Sequence, residues 1–203
     1  MRTRPSLRKE RLVPQLAFVA LFAGAFAYAY MRIFFARTEP GAILLGMILA
    51  AGLAFEHVPT VVSALLGGTA AAWTFSDAIS GEIRNNLTFP VIFIFIVVDI
   101  AMQPMNLFGL IAAIGTIPFF FWPVRGGFGG GDIKAIAIIG LALGILPTLV
   151  TIMASCVIAL AVYAAMRLRG AWQAGDSFRF GPYLAVGIVF AIPLTYFLPG
   201  IQN

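Results

Sequence analysis

Two aspartates are the residues best placed for chemistry. Asp77 closes one apolar stretch and Asp132 opens another, 55 positions further on. An up-and-down pair of helices between them brings such ends to the same side. Two carboxyl groups in one partly dry place cannot both ionise cheaply, so they tend to share a proton. The ionised member can take a proton from water. The protonated member can polarise an amide carbonyl and later protonate the leaving nitrogen. That is aspartic-peptidase chemistry and requires no metal. The competing reading is two separate interfacial carboxylates, solvated or capping helices.

The residues around Asp132 bear on that choice. Five of the six residues in Gly126-Gly-Phe-Gly-Gly-Gly131 are glycine. Such a stretch permits positive φ and lets another backbone come close, which an extended substrate beside a carboxyl group needs. The plainer alternative is a loop ended by Asp132 as an N-cap. A phosphate cradle lacks its Gly-Lys-Ser/Thr, and Lys134 by itself does not supply one. Lys134 is either a charge that orients this loop and the aspartates or an interfacial lysine reaching for water. Asn85, Asn86 and Thr88 could hold substrate backbone, and as loop residues they could equally form turns and caps.

The elements that position these groups follow from composition. Of 203 residues, 61% are hydrophobic and 10% charged. A soluble domain carries about 25% charged residues, and a water-soluble exterior cannot be built from so few polar groups. An integral membrane protein is expected, with lipid as its surroundings and no nucleic-acid partner. Eight apolar runs stand out: 12–30, 42–55, 58–76, 87–102, 107–122, 133–145, 147–166 and 182–198. β-Barrel alternation is absent, so the fold class is all-α, a polytopic transmembrane bundle.

Charge sets direction. Arg84 lies in one polar connection, Arg125 and Lys134 in the next, and Arg167, Arg169 and Arg179 in the last. The turns at Gln103-Pro-Met-Asn106 and Leu146-Pro147 carry no charge. The positive-inside rule puts the three polar connections, and both aspartates, on the cytoplasmic side. The basic N-terminus, with Arg2, Arg4, Arg8, Lys9 and Arg11, conflicts with eight crossings and suits seven. The segment Glu56-His57-Val58-Pro59 reads as a turn and favours eight.

Other polar residues receive quieter readings. Asp99, inside an apolar run, would lie toward the outer side as an interhelical or solvated carboxyl. Glu56 and His57 form a polar turn; one histidine makes no zinc site, and no metal is expected. Asp176 and Arg179 read as solvated. Cys156 cannot form an intrachain disulfide, being the single cysteine, and reads as a small buried hydrophobe. Trp73 and Phe119-Phe-Phe-Trp122 read as an interfacial aromatic belt.

Three segments carry a resemblance. Gly129-Gly130-Gly131-Asp132-Ile133-Lys134 is similar to the Gly-x-Gly-Asp-x-Lys motif of the membrane aspartic peptidases that process type IV prepilins and preflagellins. Asp77-Ala-Ile-Ser-Gly-Glu-Ile-Arg-Asn-Asn-Leu-Thr-Phe-Pro90 resembles that family's first-aspartate segment. Phe180-Gly-Pro-Tyr-Leu-Ala185 resembles its Phe-Gly-Pro-Phe-Leu-Ala element. Two features depart from the pattern. Arg84 stands where proline is usual, and the cytoplasmic loop with paired Cys-x-x-Cys motifs is missing. The second departure leaves N-methylation of the product open.

The resemblance implies a six-helix GxGD peptidase core over 58–203, preceded by one or two extra helices in 1–57. It implies Asp77 and Asp132 as catalytic pair, with Gly129, Gly130, Gly131, Lys134, Asn85 and Asn86 binding substrate or positioning loops, and no cofactor. The reaction would remove the short basic leader of a prepilin-like or preflagellin-like protein at the cytoplasmic face of the inner membrane. The helix dipoles of their own helices suggest that Asp132 is ionised and Asp77 protonated at rest. Two rival classes remain. One is a small transporter or channel using Asp99 and the helix breaks at Pro104 and Pro147. The other is a catalytically silent membrane subunit of a pilus or secretion assembly. Oligomeric state is not legible in the chain.

Overall fold

The computed structural model describes residues 5–55, 58–102, 115, 129–171 and 179–197. The described residues form helices and no strands. These are α1 (Pro5–Phe35), α2 (Pro40–Phe55), α3 (Thr60–Ser80), α4 (Asn85–Met102), α5 (Gly130–Leu143), α6 (Ile145–Leu168) and α7 (Gly181–Phe197). The expected run 107–122 apart from Gly115, the pair Glu56 and His57, Pro104, the start of the glycine run, and Asp176 lie outside the described residues.

The apolar periods locate these helices well, and the ends differ for local reasons. α3 runs past the expected end at 76 and carries Asp77 within it. It stops at Gly81, whose φ of +70° is the left-handed conformation that ends helices, with its N–H donating to the Asp77 carbonyl at 2.9 Å. The turn expected at Leu146-Pro147 lies earlier, at Gly144, with φ of +82°. Pro147 instead falls in the first turn of α6, where a missing N–H costs nothing. Asp132 is not the N-cap. Gly129 holds that place, extended at φ −63° and ψ 151°, and Asp132 is the third helical residue.

The chain divides into two compact units, Met1–Ala72 and Trp73–Asn203. In the first, α1 packs on α2, and the buried Val19, Ala23, Ala50 and Ala64 form a core of small side chains. α2 and α3 are separate helices that return on one another. A Cβ on Gly46 would stand 2.7 Å from the Gly67 carbonyl and 2.8 Å from the Ala71 Cβ, and one on Gly67 would meet Ala50. Contacts of 46 with 71 and of 50 with 67 are those of an antiparallel pair, so α2 and α3 run in opposite directions and are not one kinked helix.

In the second unit α5 is central, packing against α4, α6 and α7, while α6 and α7 pack closely on each other. Its inward residues Ile133, Ile138 and Ile139 are buried together with Phe75, Phe95, Leu184 and Ile188. Gly187 of α7 lies directly against Ser155 and the Thr151 carbonyl of α6. Both hydroxyls bond back along their own helix, Thr151 to the Pro147 carbonyl and Ser155 to the Thr151 carbonyl, so the close crossing leaves neither unpaired.

Two readings of single residues change. Cys156 is exposed, on the same side of α6 as the exposed Met153, Val157 and Leu160. The apolar run that contains it turns only part of its circumference inward. Trp73 is fully buried and takes no place on a surface belt. Two helical stretches, Leu12–Phe35 and Ile145–Leu168, are long and apolar enough to cross a bilayer, and α2, α4 and α7 contain shorter apolar stretches.

Candidate active site

Asp77 sits in the last turn of α3, just beyond the apolar stretch 58–76, and is 4% exposed. Its chain leaves the helix by a fixed route. The Ser76 hydroxyl donates to the Glu82 carbonyl at 2.7 Å, and the Ser80 hydroxyl donates to the Ser76 carbonyl at 2.7 Å. These bonds fold 80–84 back and bury Ile83. A Cβ on Gly131 would stand 2.8 Å from the Ile83 Cβ and 3.1 Å from its backbone nitrogen and oxygen. Gly131 therefore has to be glycine: the start of α5 rests on the connection that follows Asp77. The glycines contribute close approach here, and no positive φ is found at 129–131.

Asp132, one residue beyond that contact, is partly exposed. The Gly129 N–H donates to its Oδ2 at 3.2 Å. Gly130 has open space around it. Lys134 reaches across to α4, where its ammonium donates to the Asn85 Oδ1 and lies 5.1 Å from the centre of the Phe89 ring. The lysine thus joins the first turn of α5 to the first turn of α4, and is a brace more than a free interfacial charge. Asn86 is exposed in the same turn of α4, and Thr88 is buried with its hydroxyl donating to the Arg84 carbonyl at 3.4 Å. Asp99 belongs to the far end of α4, roughly 20 Å from Asn85 at about 1.5 Å per residue.

The α7 start completes the arrangement. The Gly181 N–H donates to the Asp77 Oδ2 at 2.8 Å in a buried bond. A Cβ on Gly181 would stand 3.0 Å from the Asp77 Cβ and Oδ2, so glycine is required here too. Phe180-Gly-Pro was visible as a sequence element, and Gly-Pro at a helix start is a familiar signal. Its bond to a residue 104 positions earlier was not readable from it. Arg179 is exposed, as expected of a solvated residue, yet its charge acts on Asp77.

The two carboxyl groups sense each other. Burial, followed by the charge of Asp77, pushes Asp132 up to about 6, against a smaller lowering by the Gly129 N–H. Burial raises Asp77 also, opposed by the Gly181 N–H and the Arg179 charge. Each residue's own helix dipole favours charge on Asp132, whereas the start of α7 donates to Asp77 from outside its helix and favours charge there. Among the described residues, no three His, Cys, Asp or Glu side chains gather as metal ligands.

Two carboxyl groups that sense each other can split an amide with water, one taking a proton and the other giving one. Residues 64–164 match the type IV leader peptidase family. The chain belongs to that family. The matched region holds Asp77, Asn85, Asn86, Gly129, Gly130, Gly131, Asp132 and Lys134. No curated protein and no solved structure matches the chain. Family membership makes this leader-peptidase-like chain a protease, and the Phe180-Gly-Pro element lies beyond the matched residues.

Proposed function

We propose that this leader-peptidase-like chain is a multi-pass aspartic endopeptidase of the inner membrane, with 58–203 as its peptidase core. It removes the short basic leader of a prepilin-like or preflagellin-like protein at the cytoplasmic boundary of the bilayer. The supporting observation is the aspartate pair: Asp132 is raised by burial and then by the charge of Asp77, and each carboxyl accepts an N–H from a helix start. The substrate's apolar helix lies in the bilayer, and its basic leader stays at the surface, where lipid headgroups and the enzyme meet.

In the reaction the ionised carboxylate takes a proton from water, and the water oxygen bonds to the scissile carbonyl carbon. The protonated carboxyl stabilises the developing oxyanion and then gives its proton to the leaving nitrogen as the C–N bond breaks. Gly131 and Gly181 let the starts of α5 and α7 pack closely on Ile83 and Asp77, and Gly130 has open space around it. Lys134, tied to Asn85, holds the α5 start against α4.

Reconstitution tests this. The protein in lipid is given a peptide with a basic leader and an apolar helix, and wild type is compared with Asp77→Asn. Cleavage abolished by the substitution supports the proposal. Solute transport that survives it points to a transporter, and a wild type without activity points to a silent assembly subunit.

A further inference from the structure

We propose that the segment Arg179–Gly181 sets the division of labour within the pair, holding Asp77 as the ionised general base and leaving Asp132 as the proton carrier. This rests on the aspartic-peptidase reading above. It assigns a positioning role to a segment outside both aspartate motifs.

The hydrogen bonds at the start of α7 carry the argument. The first N–H groups of a helix have no partner inside it. In α7, Pro182 has no N–H, and the Tyr183 and Leu184 N–H groups are both taken by the Phe180 carbonyl, at 3.0 and 3.1 Å. The Gly181 N–H remains, and it is given to Asp77 at 2.8 Å in a buried place. A donor fixed to a carboxyl oxygen favours its charged form, and the positive end of α7 acts in the same direction. Asp132 has a weaker counterpart, the 3.2 Å bond from its own N-cap Gly129.

The charges around Asp77 agree in sign with this division. From α5 it faces Asp132, the second carboxyl of the pair. From the approach to α7 the charge of the Arg179 guanidinium acts on it. Glu82 and Arg84 on its own connection are exposed, one of each sign. Lys134 is engaged by Asn85. Arg179 is the cation whose charge lowers Asp77, so its benefit goes to Asp77.

The test is the pH profile of kcat/KM for leader-peptide cleavage by the full chain in lipid, in wild type, Arg179→Gln and Arg179→Lys. Ionisation of Asp77 sets the rising limb and deprotonation of Asp132 the falling one. Removing the Arg179 charge moves the rising limb up by roughly 0.5 pH unit, as expected for an exposed cation near a carboxylate. The falling limb stays in place and lysine restores the profile. Gly181→Ala, which crowds Asp77, moves the same limb and lowers kcat more than it changes KM. A raised KM with neither limb moved makes Arg179 a substrate contact and overturns the proposal, as does movement of the falling limb alone.

A readout without turnover separates the proposal from its foundation. The infrared carbonyl band of a protonated carboxyl at pH 5 should vanish in Asp132→Asn and persist in Asp77→Asn. The opposite pattern overturns the assignment even if both variants are inactive. If either variant cleaves normally, the peptidase reading of the pair fails, whatever the infrared band shows.

Discussion

Asp77 and Asp132 are the same residue type in opposite settings. Asp77 ends a helix and is almost wholly buried, while Asp132 begins a helix and is partly exposed. Burial is the largest cause raising both carboxyls, and Asp132 reaches about 6. The two settings differ further in what serves each carboxyl. Asp77 receives a short bond from a foreign helix start and the field of an arginine, whereas Asp132 receives a longer bond from its own loop and the repulsion of Asp77. A carboxyl group's own place in its helix is a poor guide to its charge when another helix is aimed at it.

The largest effect expected from breaking this pair is loss of either carboxyl. Asp77→Asn and Asp132→Asn should each lower kcat in the peptide assay by about 1,000-fold or more, since neither half of a proton-sharing pair works by itself. A near-normal rate from either would end the comparison.

Next comes crowding at the two close approaches. Gly131→Val presses a branched side chain onto the Ile83 backbone and should abolish most activity, at a stability loss of about 1–3 kcal/mol. Gly46→Val, which collides with the Gly67 carbonyl, should lower thermal stability as much. At a temperature where it remains folded, its KM and pH profile should match wild type, because that crossing holds no site residue.

The pH dependence of stability sharpens the contrast. Asp132 holds its proton more tightly when folded than unfolded, so folding favours its protonated form. That contribution is present at low pH and is lost as pH rises through about 6. Asp132→Asn should therefore raise the melting temperature at pH 7.5 by a few degrees, measured in detergent, and change it little at pH 4.5. In the same assay, cleavage by wild type should fall as pH passes about 6 in the free enzyme.

The smallest effects belong to groups that support the pair from a distance. Lys134→Met removes the tie to Asn85 and should reduce kcat by roughly tenfold, the scale on which a displaced positioning contact acts. Asp99→Asn, at the other end of α4, should leave cleavage within about twofold of wild type, since screened charges at that distance interact weakly.

The helices were legible because runs of apolar residues bounded by Gly, Pro and charge leave few alternatives. α2, α4 and α7 begin and end within a few residues of the runs at 42–55, 87–102 and 182–198. The ends were less legible where backbone hydrogen bonds decide them. Gly81 and Gly144 stop their helices by positive φ, and a glycine in a sequence does not announce its φ. The same limit applied to Asp132, whose cap position went to Gly129. Trp73 and Cys156 exchanged expected burial because an apolar run states the helix and not which side faces inward.

By itself, the sequence determined the helices, the family and the few acids available for chemistry, since these depend on residue type and short spacing. Only the tertiary structure decided that Gly131 rests on Ile83, that Lys134 is held by Asn85, and that the start of α7 serves Asp77. Those contacts join residues dozens of positions apart, and the protonation of a carboxyl depends on the donors and charges that the fold brings to it through space.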